Sequence, residues 1–200
     1  MIVNKVTDLI GNTPLFEIKM KNNDWRVFLK LEKFNPGGSM KDRMALNMIE
    51  QAEKDGRLKP GGTIIESSSG NTAIGLAIAS AIKGYKFIAV VDHHASKEKI
   101  DMIKAYGGEI VVVGDGYKAN EVAVVERERT AKRMSEEMEN AFFPNQADNF
   151  DNRSAYTNTL AKELINELGT IDSFYAAIGT GGSSCGTALG LKEHNQSTTI

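Results

Sequence analysis

The sequence predicts an α/β protein built from three-layer domains, each a parallel sheet between helices. Two observations carry this. Short apolar runs alternate with helix-length segments from about residue 40 onward, and glycines such as Gly84 and Gly107 close the helices. Strands separated by helices of that length need crossover connections, which make neighbouring strands parallel.

Taken in order, Val27–Glu32 reads as a short strand, and Asn35–Ser39 is turn chemistry. A helix follows at about Met40–Gly56, with Met44, Met48 and Ala52 on one stripe. Thr63–Glu66 is an apolar strand and Asn71–Lys83 an apolar helix. Phe87–Asp92 is a buried-type strand, Lys97–Tyr106 a helix, Glu109–Val113 a strand and Tyr117–Glu139 a long charged helix. A short strand at Ala141–Phe143 leads into a polar loop, and a single helix at Arg153–Leu168 places Tyr156, Leu160, Leu164 and Leu168 on one face. Ser173–Ile178 reads as the next strand, followed by a glycine-rich turn and a helix from about Ser184. A domain border is expected near Gln146–Asn152. The division is then 1–40 as an N-terminal segment partly packed on the second domain, 41–150 as a smaller α/β domain, and 151–200 as the start of a larger one. Ser197–Ile200 reads like the start of a further strand, so the second domain is expected to be truncated and the isolated chain inactive.

Composition narrows the function classes. A net charge of −2 offers no basic field for nucleic acid or an anionic membrane. The lone Cys185 excludes an internal disulfide and suits a reducing compartment, and no apolar run approaches the roughly 20 residues of a membrane span. A soluble, cytoplasmic protein is the expectation.

Three segments carry the chemistry. In Asn35–Arg43, Ser39 and Asp42 have capping-box spacing, which makes Ser39 the expected N-cap and puts Lys41 in the first helical turn. The positive end of the helix dipole disfavours an ammonium there, lowering its pKa and favouring a nucleophilic amine. A solvated lysine paired with Asp42 is the plain alternative. Glu66–Thr72 joins a strand to a helix with several hydroxyls and an amide, a receptor for carboxylate or phosphate, or else simple capping. Gly179-Thr180-Gly181-Gly182-Ser183-Ser184 follows the last apolar strand, and its glycines would let backbone approach a phosphate. It lacks the Lys-Ser/Thr pair of a Walker A loop and only loosely matches a dinucleotide fingerprint, so a packing turn stays open.

Together these segments resemble the cysteine synthase and cystathionine β-synthase family, a branch of the fold-type II pyridoxal-phosphate (PLP) enzymes. The matching stretches are Ile10–Leu15, Asn35–Arg43, Ser68–Thr72, Asn145-Gln146 and Gly179–Ser183, in family order over almost the whole chain. The resemblance implies that Lys41 is the catalytic residue and holds PLP covalently, and that Asn71 bonds its phenolic oxygen. It also implies that Gly179, Thr180, Gly181, Gly182 and Ser183 cradle its phosphate, and that Ser68, Ser69, Thr72 and Gln146 grip a substrate carboxylate. The implied reaction is β-replacement on O-acetylserine or O-phosphoserine through an aminoacrylate, with sulfide as nucleophile. The partners implied are a small amino-acid substrate, a small nucleophile and a second copy in a homodimer, with no metal, nucleic acid or membrane.

The departures bear on substrate. Ala73, Ser68 and Met40 differ from the family's usual residues, and Val91-Asp92-His93-His94-Ala95-Ser96 replaces its Met-Pro-Glu stretch. The lysine segment and this stretch look closer to siderophore-pathway relatives, so an amine nucleophile such as glutamate, giving a 2,3-diaminopropionate precursor, is the alternative. A catalytically inactive binding relative and an NAD-dependent enzyme are the rivals of other classes. Cys185 is read as a small packed thiol, His93-His94 as a solvated loop, and Glu126–Glu139 as a solvated helix face. Arg129, Arg153 and Tyr156 are secondary candidates for an anionic substrate.

Overall fold

The chain opens with an antiparallel hairpin of β1 (Leu15–Lys19) and β2 (Arg26–Lys30), Leu15 opposite Lys30 and Lys19 opposite Arg26. The structure, a computed structural model, describes residues 2–21, 24–114 and 123–200. Strand β1 escapes the sequence reading because no residue of it is fully buried, so it carries no apolar run.

Helix α1 (Lys41–Asp55) buries the expected stripe of Met44, Met48 and Ala52, together with Ala45 and Ile49, and ends at Gly56 in the left-handed region. Then come β3 (Thr63–Ser67), α2 (Asn71–Lys83), β4 (Lys86–Val91), α3 (Lys97–Ala105), β5 (Glu109–Val112), α4 (Val124–Glu137) and β6 (Ala141–Phe142). The front of the expected long helix, from Tyr117 to Val122, lies outside the described residues. The four strands β3 to β6 form one parallel sheet in the order β5-β4-β3-β6.

Every residue of the central strand β3 is buried, and its alternation divides the core. Ile64 packs with Met44, Met48, Leu76 and Phe87 on one face, while Ile65 packs with Ile88, Val90 and Ala131 of α4 on the other. That is the three-layer arrangement the alternating pattern predicts.

Beyond the sheet the structure departs from the reading in three places. The single helix expected over Arg153–Leu168 is two, α5 (Phe150–Asn158) and α6 (Leu160–Leu168), broken at Thr159 (φ −122°, ψ −74°). The Thr159 hydroxyl donates to the Ala155 carbonyl at 2.6 Å, a back-bond of the kind that bends helices. The apolar face survives the break: Tyr156, Leu160 and Leu164 are buried in the same cluster as Met44 and Leu76, with Leu168 against it. Ser173–Ile178 is not a strand. Only Ser173 bridges, to Thr199, while Tyr175 and Ile178 are about four-fifths exposed or more. A β-segment is held by its ladder, and among the described residues this one has a single partner. Finally, α7 (Gly182–His194) begins two residues before the expected start.

A buried ion cluster ties the first turn of α1 to distant segments. Arg43 Nε and Nη2 donate to Glu32 at 2.7 and 2.8 Å, and Nη2 also reaches Glu163 Oε2 at 2.8 Å. Lys30 Nζ lies 3.0 Å from Glu163 and donates to the Thr13 carbonyl at 2.6 Å, while Asn12 N–H donates to Glu163 at 2.9 Å. Burial alone would raise the Glu163 carboxyl, but the Arg43 hydrogen bonds and the Asn12 N–H bring it down to about 2. Among the described residues no helix is long and apolar enough to cross a membrane.

Candidate active site

Sheet order sets the site. Because β6 lies beside β3, the loops leaving their C-terminal ends adjoin, which is where parallel sheets place ligands. The first loop is Ser68–Gly70, leading into α2, and the second holds Asn145 and Gln146.

Lys41 starts α1 next to these loops and is partly buried. Burial lowers its amine pKa, with the nearby Glu66 charge acting the other way. Its position is fixed from both sides. Gly75 of α2 sits so close that an added Cβ would lie 3.2 Å from Asp42 Cα and from Ala45 Cβ. From α5, the Tyr156 hydroxyl donates to the Met40 carbonyl at 3.0 Å. Tyr156 is fully buried, so it braces the residue before Lys41 and does not serve as a contact for an anionic substrate. The expected capping box is not formed either. Met40 is the N-cap, Ser39 Oγ accepts from the Lys41 N–H at 3.2 Å, and Asp42 reaches further back to the Gly37 N–H. The tight Asn35–Gly38 turn brings Gly37 within reach of that carboxylate, which outcompetes the shorter reach to Ser39. Burial raises the Asp42 carboxyl to about 6, against the Gly37 N–H and reinforced by the Glu32 charge.

The hydroxyl-amide loop folds on itself and on its neighbour. Ser68 is buried, and its Oγ accepts from Gly70 N–H at 3.2 Å, leaving its own O–H to donate; Ser69 beside it is half-buried. Thr72 donates to Gln146 Oε1 at 2.6 Å, which turns the Gln146 amide so that its Nε2 remains a donor. Lys99 of α3 donates from Nζ to Asn71 Oδ1 at 2.9 Å, so the Asn71 Nδ2 is likewise the end left to donate. Beneath the loop, Glu66 accepts from Ser67 N–H at 2.9 Å and Gln146 N–H at 3.3 Å. Burial raises its carboxyl to about 7, although those N–H groups and that of Asn145 hold it down.

The glycine turn opens α7. Gly181 has φ +83°, and an added Cβ on Gly182 would fall 2.1 Å from Asn152 Oδ1, so the turn needs glycine at both positions. Gly179 and Thr180 are exposed and Ser183 half-buried. First-turn N–H groups and two hydroxyls make a donor set suited to a phosphate, which is what PLP requires there. The turn is tied to the other loops by Asn152, whose Nδ2 donates to the Gln146 carbonyl at 2.7 Å and to Thr180 Oγ1 at 3.1 Å.

The structure thus gathers Lys41, Ser68, Ser69, Asn71, Thr72 and Gln146 at one sheet edge, with Gly179–Ser183 joined through Asn152. Sequence reasoning missed Glu66, Lys99 and Asn152 as site residues. Only the polar run Gln146–Asn152 hinted at the last of them, and it reads as a border. Other candidates fall away. Arg129 is exposed, Arg153 lies over the Phe150 ring at 5.1 Å, and Cys185, in the first turn of α7, is exposed rather than packed. The His93 and His94 ring centroids lie 4.1 Å apart with the planes tilted by 38°, and no metal-holding cluster exists among the described residues.

Comparison with known proteins bears on what such a site does. The profile of the family described as pyridoxal-phosphate dependent enzyme matches residues 6–200. A putative cysteine synthase from Sinorhizobium fredii is 50% identical over 196 residues, covering 98% of this chain and 58% of that protein. A probable cysteine synthase from Bacillus subtilis is 44% identical, covering 96% and 62%. Among solved structures, a hydrogen sulfide-producing enzyme from Fusobacterium nucleatum superposes with a TM-score of 0.89 at 40% identity, covering 99% of this chain and 64% of that one. An O-acetylserine dependent cystathionine β-synthase from Helicobacter pylori gives 0.89 at 35%, covering 99% and 65%. The chain therefore spans about three fifths of the length of the curated relatives it matches.

Proposed function

Because the chain belongs to the pyridoxal-phosphate dependent enzyme family, we propose that its protein performs β-replacement on an O-activated L-serine, with Lys41 as the residue that holds the cofactor. The observation that carries this reading is the placement of a partly buried, pKa-lowered Lys41 amine at the sheet edge that also presents Ser68–Thr72 and Gln146.

The roles follow from the donors available. Lys41 Nζ is the amine that would hold the cofactor, and as a free amine it would be the base for the substrate α-proton. Burial keeps it closer to neutral, as both tasks need. The hydroxyls of Ser68 and Ser69 and the Gln146 amide, turned by the Thr72 hydroxyl, would hold the substrate carboxylate; Gly179–Ser183 would hold the cofactor phosphate, and Asn71 Nδ2 would donate to its phenolic oxygen. The bound cofactor supplies an aldehyde carbon and an electron-withdrawing ring that acidifies the α-carbon.

The activities named for the two structural relatives, hydrogen sulfide production and O-acetylserine dependence, favour O-acetylserine as the substrate and leave the nucleophile split. Sulfide is the first reading. An amine such as glutamate is the second, favoured by the Val91–Ser96 stretch, where buried Asp92 lies 3.3 Å from Arg127 at the same sheet edge. The test is an assay of the full-length protein on O-acetylserine and O-phosphoserine, each with sulfide and with glutamate. Fastest turnover of O-acetylserine with sulfide supports the first reading, and preference for glutamate the second. PLP uptake without turnover on any pair would identify an inactive relative. Sedimentation of the same protein tests the homodimer.

A further inference from the structure

We propose that Asn152 is a positioning residue that locks the Gln146 loop to the Thr180–Gly182 turn, so that one amide sets the spacing between the carboxylate grip and the phosphate cradle. The proposal rests on the PLP reading above.

The geometry is specific. Asn152 lies in the first turn of α5, is 2% exposed, and comes from neither of the loops it joins. One amide nitrogen serves both: its two protons go to the Gln146 carbonyl at 2.7 Å and to Thr180 Oγ1 at 3.1 Å. Those acceptors are 6 and 28 residues away in the chain. Donation to Thr180 Oγ1 occupies a lone pair of that hydroxyl, which directs its own proton away from Asn152 and out of the turn. Donation to Gln146 acts on its backbone, while Thr72 holds its side chain, so the loop is pinned at two points.

The turn is built around this side chain. Gly182 is the residue whose added Cβ would overlap the Asn152 amide, at 2.1 Å from Oδ1, 2.5 Å from Cγ and 2.7 Å from Nδ2. The Asn152 Oδ1 is buried and has no hydrogen-bond partner among the described residues. A buried amide with one unpaired end is poor core filling, so its presence is explained by the two bonds its other end makes. The polar bridge is also the link by which a shift of one loop would be felt at the other.

The test compares full-length wild type with Asn152→Ala, Thr180→Val and the double variant. PLP is titrated into each apoprotein by absorbance, KM for O-acetylserine is measured at saturating PLP, and melting midpoints are recorded. Asn152→Ala is expected to weaken PLP binding and to raise KM, each by about 10-fold. Adding Thr180→Val to it should then weaken PLP binding by much less than it does in wild type, since an undirected hydroxyl has less to lose. If Asn152→Ala loses its fold, Asn152→Ser replaces it, because a single hydroxyl proton cannot serve two acceptors. A lowered melting midpoint with both constants unchanged would assign Asn152 to packing and overturn the proposal, as would a change in only one constant. Those outcomes leave the PLP reading standing. Failure of the wild-type apoprotein to take up PLP at Lys41 would remove both together.

Discussion

The Thr72 hydroxyl donates to Gln146 Oε1 across 2.6 Å, joining the first turn of α2 to the loop after β6, 74 residues along the chain. Removing it tests whether this clasp prepares the carboxylate grip. Thr72→Val keeps the side-chain shape and deletes the donor, so the Gln146 amide is free to turn. Loss of one oriented donor costs about 1–1.5 kcal/mol, so KM for the amino-acid substrate should rise roughly 10-fold. Steady-state kinetics at saturating PLP measures this, and an unchanged KM would show that the clasp is only structural.

The Arg43–Glu163 pair fastens α1 to α6. Both side chains are buried or nearly so, and Glu163→Ala would leave Arg43 with only Glu32 and Thr13 as acceptors and Lys30 with one fewer. Breaking a buried pair on one side costs about 3 kcal/mol. The melting midpoint should drop by several degrees, whereas Lys97→Ala, at a fully exposed helical pair, should leave it unmoved. Equal effects of the two substitutions would contradict the cluster's anchoring role.

Glu66 gives the pH dependence a definite sign. Its folded-state pKa of about 7 stands above the ordinary carboxylate value of 4.5, so the folded chain binds this proton more tightly than the unfolded one. Its contribution to stability is complete below about pH 4.5 and is lost as pH rises to 7. The size is on the order of 3 kcal/mol, and Asp42, raised to about 6, adds in the same direction. Glu163, lowered to about 2, contributes above its ordinary range and is lost only as pH falls through 2. Denaturant unfolding of Glu66→Gln between pH 4.5 and 7 should therefore show a flatter slope than wild type. An unaltered slope would mean that Glu66 is not the titrating group.

The parts of the fold that were legible in the sequence are those governed by local rules. Asn71–Lys83 is bounded correctly because its apolar run ends at a glycine, and β3 is placed to within one residue, as Thr63–Glu66, because Ile64 and Ile65 stand between glycine and serine turns. The exposed hairpin strand β1, the break at Thr159 and the missing ladder of Ser173–Ile178 depend on partners or back-bonds that no local pattern encodes. The site divides in the same way. Lys41, Ser68–Thr72 and Gly179–Ser183 stand out as compact motifs, while Asn152 acts through its bonds to Gln146 and Thr180 and Lys99 through its bond to Asn71, contacts that only the folded chain brings about. Ser39 shows the limit of a motif: its spacing matched a capping box, yet Asp42 bonded Gly37 instead.

The central claim is that Lys41 carries the cofactor, and borohydride trapping tests it most directly. The full-length protein and its Lys41→Ala variant are loaded with PLP, reduced with borohydride, digested and mapped by mass spectrometry. The account predicts a reduced pyridoxyl adduct on the peptide containing Lys41 in wild type, and loss of the yellow absorbance, the adduct and turnover together in Lys41→Ala. An adduct on another lysine, or a Lys41→Ala protein that retains the reducible cofactor and turnover, would contradict it.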